Sequence, residues 1–158
     1  SAASDVYKRQ GKTFMENALL KARYYAKATN RPCLADDSGI TVDALNGAPG
    51  VYSARYAGHH GDDNANNEKL IQELQGKADR TAHYVCALVL VYPDGREVTA
   101  EGYCDGLVQD EPKGDNGFGY DPYFYVPEFE KTMAELSIEE KETISHRGRA
   151  LRKLINKL

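Results

Sequence analysis

The sequence predicts an α/β domain, and three patterns lead to that reading. Apolar residues recur at helical spacing after Thr13, between Asp62 and Gly76, and after Ser145. Between those segments lie apolar runs of strand length: Cys33-Leu34-Ala35, Thr81 to Tyr92 and Arg96 to Val108. The first run ends in Asp36-Asp37-Ser38-Gly39, and in open α/β sheets ligands sit outside the carboxyl ends of strands. With 158 residues the chain is long enough for one domain with a real core.

In order, Ser1 to Gln10 shows neither period and runs straight into a helix start. It is expected to be a non-native or aberrant segment, leaving one domain over residues 11–158. Thr13-Phe14-Met15-Glu16 reads as a capping box, in which hydroxyl and carboxylate satisfy orphan helix N–H groups. Phe14, Ala18, Ala22 and Tyr25 then form an inward stripe, with Asn17 and Lys21 one turn apart beside it. Asn30-Arg31-Pro32 ends the helix, and the strand into Asp36 follows. Ile40 to Leu45 is either a second short strand or a turn. Asn46 to Gly61 is a loop rich in Gly, Pro and Tyr, a composition that compact functional loops share. Asp62 to Gly76 is an amphipathic helix with Leu70, Ile71 and Leu74 inward. Thr81 to Tyr92, the turn Pro93-Asp94-Gly95, and Arg96 to Val108 form an antiparallel hairpin; Val85 to Val91 is apolar on both faces and belongs mid-sheet. An acidic, Gly-rich loop, Asp110 to Gly119, leads into the aromatic strand Tyr123 to Val126. Ser137-Ile138-Glu139-Glu140 is a second capping box. Ser145 is expected to cap the last helix, with Leu151, Leu154, Ile155 and Leu158 inward.

Composition narrows the function classes. Charged residues make up 28% and hydrophobic residues 41%, an ordinary balance for a soluble protein. A net charge of -4 gives no electrostatic case for nucleic-acid binding. No apolar run is long enough to span a membrane, and no secretory pattern is present, so no membrane partner is expected. Cys33, Cys86 and Cys104 are widely spaced within apolar segments, which suits reduced thiols in the cytoplasm.

Three stretches carry candidate chemistry. Asp36 and Asp37 are costly to bury without a cation or a hydrogen-bond network, and carboxylate oxygens suit a hard ion such as magnesium. Neighbours on a strand face opposite ways, so the two are not twin acids on one substrate; a polar turn is the plain alternative. Phe118-Gly119-Tyr120-Asp121 combines glycines, which admit close approach of a ligand to the backbone, with an aromatic on which a base stacks. A tight turn with a core phenylalanine is the alternative there. His146 and Arg147 fall in the first turn of a helix, a poor place for cations but a good one for an anion. They make sense with a bound phosphate or acidic partner, or with a salt bridge to a neighbouring loop. Lys21 alone reads as a solvated helix lysine.

Taken together, the motifs resemble the inosine triphosphate pyrophosphatase family, also described as dITP/XTP pyrophosphatases. They are Thr13-Phe14-Met15-Glu16-Asn17-Ala18 with Lys21-Ala22-Arg23, Ala35 to Gly39, Gly47 to Tyr56, Gly117 to Pro122, and Lys141 through Ser145-His146-Arg147-Gly148. Their order and spacing fit from about residue 11 to the C-terminus. The resemblance implies an elongated mixed sheet flanked by helices, with two lobes and a nucleotide cleft. It implies hydrolysis of ITP, dITP and XTP to monophosphate and pyrophosphate, with magnesium, by a homodimer. By the same resemblance Asp37 is the proton acceptor at the metal, with Asp36 supporting it. Ser38 and Lys21 bind substrate, and Phe118, Gly119, Tyr120 and Asp121 hold base and sugar. Lys141, His146 and Arg147 complete base recognition. The family's opening strand and Thr-Gly-Asn-x-x-Lys loop have no match here, and Lys8-Arg9-Gln10 stands where it carries an acid. An N-terminally incomplete member with impaired turnover is therefore expected. The competing readings are a non-catalytic nucleotide-binding protein, a pyrophosphatase of related fold with other nucleotide specificity, and a structural interaction domain.

Overall fold

The computed structural model describes residues 11–158, and the expectation for Ser1 to Gln10 lies outside the described residues. Helix α1 (Phe14–Thr29) starts as anticipated, with Thr13 Oγ1 accepting from the Glu16 N–H at 3.0 Å. The Glu16 carboxylate instead takes the Lys12 N–H at 2.8 Å, so the box is half formed on Thr13. Ala18, Ala22 and Ala26 bury one face, and Asn30 closes the helix in a left-handed conformation.

Strand β1 (Cys33–Val42) corrects the first expectation. It does not end at the acids but runs through them for 10 residues before a short 3₁₀ turn, Asp43–Leu45. Ile40 and Val42 are fully buried and continue the alternation that Ser38-Gly39 interrupts in sequence. Helix α2 (Asp63–Leu74) is capped by Asp62, whose carboxylate accepts from the Ala65 N–H at 3.1 Å. Leu70 and Leu74 are buried, with Ile71 packed against the same core. Strands β2 (Thr81–Val91) and β3 (Glu97–Val108) form the expected hairpin, closed by Tyr92 N–H to Arg96 C=O at 2.9 Å. Strands β4 (Phe124–Val126) and β5 (Lys131–Thr132) extend the sheet in the order β1-β2-β3-β4-β5. β4 pairs antiparallel with both β3 and β5, with Leu107 opposite Tyr125 and Tyr125 opposite Thr132. Helix α3 (Ile138–Ile144) has the full predicted box on Ser137, and α4 (His146–Asn156) follows at once.

The chain divides into two compact units. The first takes the chain up to Ser38, then Val85–Tyr103 and His146–Leu158; its core packs Cys86, Leu88 and Ala100 against Ala150 and Leu154. The second takes Gly39–Tyr84 and Cys104–Ser145, around Phe124, Ile40, Leu70, Leu74 and Leu136. In α4 the expected inward stripe fails: Leu154 is buried, but Leu151, Ile155 and Leu158 are exposed. The face that packs is set instead by contact with β3. Arg149, Lys153 and Lys157 donate to the carbonyls of Tyr103, Glu101 and Thr99 at 2.8, 2.9 and 2.5 Å. Four helical residues rise about 6 Å and two strand residues about 6.7 Å, so the two ladders keep step. Cationic side chains thereby cover strand carbonyls that would otherwise invite pairing.

In the second unit His83 bridges two acids, Nδ1 to Asp105 at 2.7 Å and Nε2 to Asp43 at 3.1 Å. The Asp105 hydrogen bond, aided by the Asp43 charge against partial burial, raises its pKa above the ordinary 6.5. The contribution is therefore complete below pH 6.5 and fades as pH rises through the higher folded value. His83→Gln is expected to flatten the fall of Tm with pH above 6.5, measured by thermal melts across that range.

Candidate active site

The first unit gathers six of the expected residues around β1. Asp37 turns to α1, where its Oδ2 accepts from Asn17 Nδ2 at 3.0 Å. One turn on, Lys21 Nζ donates to the backbone carbonyl of Asp36 at 2.5 Å, so it is not a purely solvated lysine. Asp36 turns to the opposite face, as strand alternation requires. Its Oδ2 meets Arg147 Nη2 at 3.2 Å and accepts from Ser38 Oγ at 3.4 Å. Burial raises the Asp37 pKa most; Asn17 and Lys21 pull it down, the Asp36 charge pushes it up, and a Ser38 backbone hydrogen bond lowers it. The balance is a carboxylate held above its usual range, which suits a group that accepts a proton.

At the start of α4, burial lowers the His146 pKa to about 4, with the Arg147 charge adding to it and Asp36 opposing. His146 is therefore neutral near pH 7. The anticipated clash of two cations with the helix dipole reduces to Arg147 alone, and Arg147 pairs with Asp36. Both partners are well exposed, at 66% and 40%, so the pair is weak and open to exchange for a substrate anion. The placement of this helix depends on Gly102 of β3. A Cβ there would collide with the His146 carbonyl and the Ala150 N–H.

The second unit gathers the other five. Phe118 is 80% exposed, which removes the core-phenylalanine alternative; Tyr120 is the buried member, its hydroxyl donating to the Ser53 carbonyl at 2.6 Å. Asp121 Oδ1 accepts from the Tyr84 hydroxyl at 2.7 Å, and its Oδ2 lies 3.5 Å from Lys141 Nζ. Lys141 also donates to the Asn116 carbonyl. Gly119 has φ +62, and its N–H and C=O are held by Asp63 and Asn67 of α2 at 3.0 and 2.9 Å. Sequence reasoning missed Tyr84, Asp63, Asn67 and Gly102. The one sequence signal was the polar pair Asn66-Asn67 amid a packing helix, both of which are buried.

Charge separates the units. The described residues of the first carry eleven Lys and Arg against six Asp and Glu, and the second seven against seventeen. An anionic group is thus favoured at the first unit and disfavoured at the second. Among the described residues no three His, Cys, Asp or Glu converge on a metal position. The Asp37 carboxylate is an oxygen donor of the kind that hard cations take one or two of, beside waters and phosphate oxygens.

The model of the Ham1 family matches residues 2–157. The chain belongs to the Ham1 family. A dITP/XTP pyrophosphatase of Bacillus anthracis is 54% identical over 152 residues, 94% of this chain and 75% of that protein. One from Thermus thermophilus is 55% identical over 150 residues, 94% of this chain and 72% of that protein. Among solved structures, the Staphylococcus aureus Ham1 protein superposes with a TM-score of 0.90 at 47% identity, covering 98% of this chain and 83% of that one. A Mycobacterium abscessus dITP/XTP pyrophosphatase gives a TM-score of 0.83 at 50% identity, covering 92% and 76%. Family membership bears out the resemblance read from the motifs. Among the described residues no helix is long and apolar enough to cross a membrane.

Proposed function

We propose that the chain hydrolyses ITP, dITP and XTP to the monophosphate and pyrophosphate, clearing deaminated purines from the nucleotide pool. The observation that carries this reading is Asp37, a carboxylate with a raised pKa beside Lys21 in the cationic unit. The names of relatives more than half identical to the chain support it. Asp37 takes a proton from the attacking water, oxygen bonds to the α-phosphorus, and the bond to the bridging oxygen breaks with pyrophosphate leaving. Lys21 places a point charge toward the phosphates. Magnesium, when bound, neutralises charge on the phosphate oxygens. Asp37 would hold it, with Asp36, which contacts Arg147 and Ser38, as support.

Base choice rests on donors. Phe118 offers its ring as a stacking surface, and Gly119, Tyr120 and Asp121 shape the loop beside it. His146 is neutral and so presents a single ring N–H; with its helix neighbour Arg147 it supplies donors for a 6-keto oxygen. Adenine's 6-amino group would leave them unpaired, which supports strong rejection. His146→Ala and Arg147→Ala are each expected to cut the dITP-over-dATP ratio of kcat/KM by about tenfold or more. An unchanged ratio in both would remove these residues from base recognition. The family resemblance supports a homodimer, and three cysteines without disulfides suit the cytoplasm.

A further inference from the structure

We infer that Asp63 and Asn67 of α2 are positioning residues that aim Phe118 at the substrate base, an inference that rests on the base-binding reading of this loop. Phe118 to Asp121 is a tight turn, closed by the Asp121 N–H on the Phe118 carbonyl at 3.2 Å. Gly119 stands at its first central position with φ +62, a conformation glycine adopts without strain. The turn's own hydrogen bond leaves both backbone groups of Gly119 unused. Asp63 Oδ2 accepts from its N–H at 3.0 Å and Asn67 Nδ2 donates to its C=O at 2.9 Å. Residues four apart share one helix face, so a single rigid surface grips both peptide planes that flank Gly119. One of those planes contains the Phe118 Cα, and the Phe118 N–H on its other side is held by Asp121 Oδ2 at 3.4 Å, so with the Gly119 grip both planes that flank this Cα are anchored and with them the direction in which Phe118 leaves the backbone.

The two side chains are chosen for the grip rather than for the helix. Asn67 is 5% exposed and its Oδ1 has no hydrogen-bond partner among the described residues. A buried acceptor left unpaired costs stability, and an apolar residue at this position would avoid that cost. What the amide supplies is the donor to Gly119. Phe118 itself is 80% exposed and no core among the described residues holds it, so its aim must come from the backbone.

The test compares Asp63→Ala, Asp63→Asn and Asn67→Asp by amide hydrogen exchange at Gly119 and by steady-state kinetics with dITP. Asp63→Asn keeps an acceptor for the Gly119 N–H but loses the charge at the helix start; Asp63→Ala loses both. Asp63→Ala and Asn67→Asp are expected to raise KM for dITP about fivefold to tenfold with kcat within about twofold. Asp63→Ala should speed exchange at Gly119, and Asp63→Asn should restore both readouts. If Asp63→Asn behaves like Asp63→Ala, the residue serves only the helix dipole and the inference fails. It fails equally if all three keep wild-type KM. Should the wild type not prefer dITP over dATP, the inference falls with the base-binding reading, and the wild-type assay alone reports that.

Discussion

Asp37→Asn is expected to reduce kcat by about a thousandfold while leaving the melting temperature unchanged or higher. General-base catalysis contributes about 10²- to 10⁴-fold, and the amide that replaces the carboxylate takes no proton. The stability half of the prediction comes from the direction of the pKa shift. Burial raises the folded pKa of Asp37 above its ordinary 3.8. The folded state therefore binds this proton more tightly than the unfolded chain, and stability falls as pH rises through the shifted value. At neutral pH the charged Asp37 is a burden to the fold, which Asn removes while its amide oxygen still accepts from Asn17. A residue kept against stability marks function. The wild type should also lose kcat/KM on acidification at a pH above the ordinary aspartate range, and Asp37→Asn should show no such limb. A variant that melts lower and retains turnover would make Asp37 structural.

Gly102→Ala should harm activity more than its added methyl group suggests. The new Cβ would meet the His146 carbonyl and the Ala150 N–H and Cα, all backbone of α4, so no side chain can swing away. Overpacking of this kind costs about 1–3 kcal/mol. The helix must lift from β3, straining the carbonyl contacts of Arg149, Lys153 and Lys157. Its first turn carries His146 and Arg147, and a 1 Å displacement of positioning groups can cost about 10²-fold. The expected result is a Tm lowered by several degrees and kcat/KM for dITP reduced about a hundredfold at temperatures where the variant is folded. A Tm loss with full kcat/KM would show that the seat of α4 on Gly102 does not set the site.

What the sequence made legible was local. Caps on Thr13 and Ser137 are read from four consecutive residues, and their chemistry lies within that span. The opposite faces of Asp36 and Asp37 follow from strand geometry and hold. The extent of β1 was hidden because Ser38-Gly39 is a turn signature, and only the buried Ile40 and Val42 carry the strand onward. The face of α4 was misread because its contact uses Ala150 and a glycine across from it, while the larger Leu151 and Ile155 stay outside. The grip on Gly119 joins residues 56 and 52 positions apart, and the Tyr84 hydroxyl reaches Asp121 over 37. No local pattern encodes contacts of that range. The family assignment survived these gaps because it rests on residue types in order, and the Ham1 match bears that assignment out.

The measurement that bears most directly on the central claim is product analysis with dITP, XTP, dATP and dGTP, with and without magnesium, for this chain and its Asp37→Asn variant. Whatever the absolute rate, pyrophosphate and monophosphate are expected from dITP and XTP, far less from dATP and dGTP, and nothing above background without metal or without the Asp37 carboxylate. Release of inorganic phosphate in place of pyrophosphate, equal turnover of dATP, or binding of dITP with no metal-dependent turnover would contradict it.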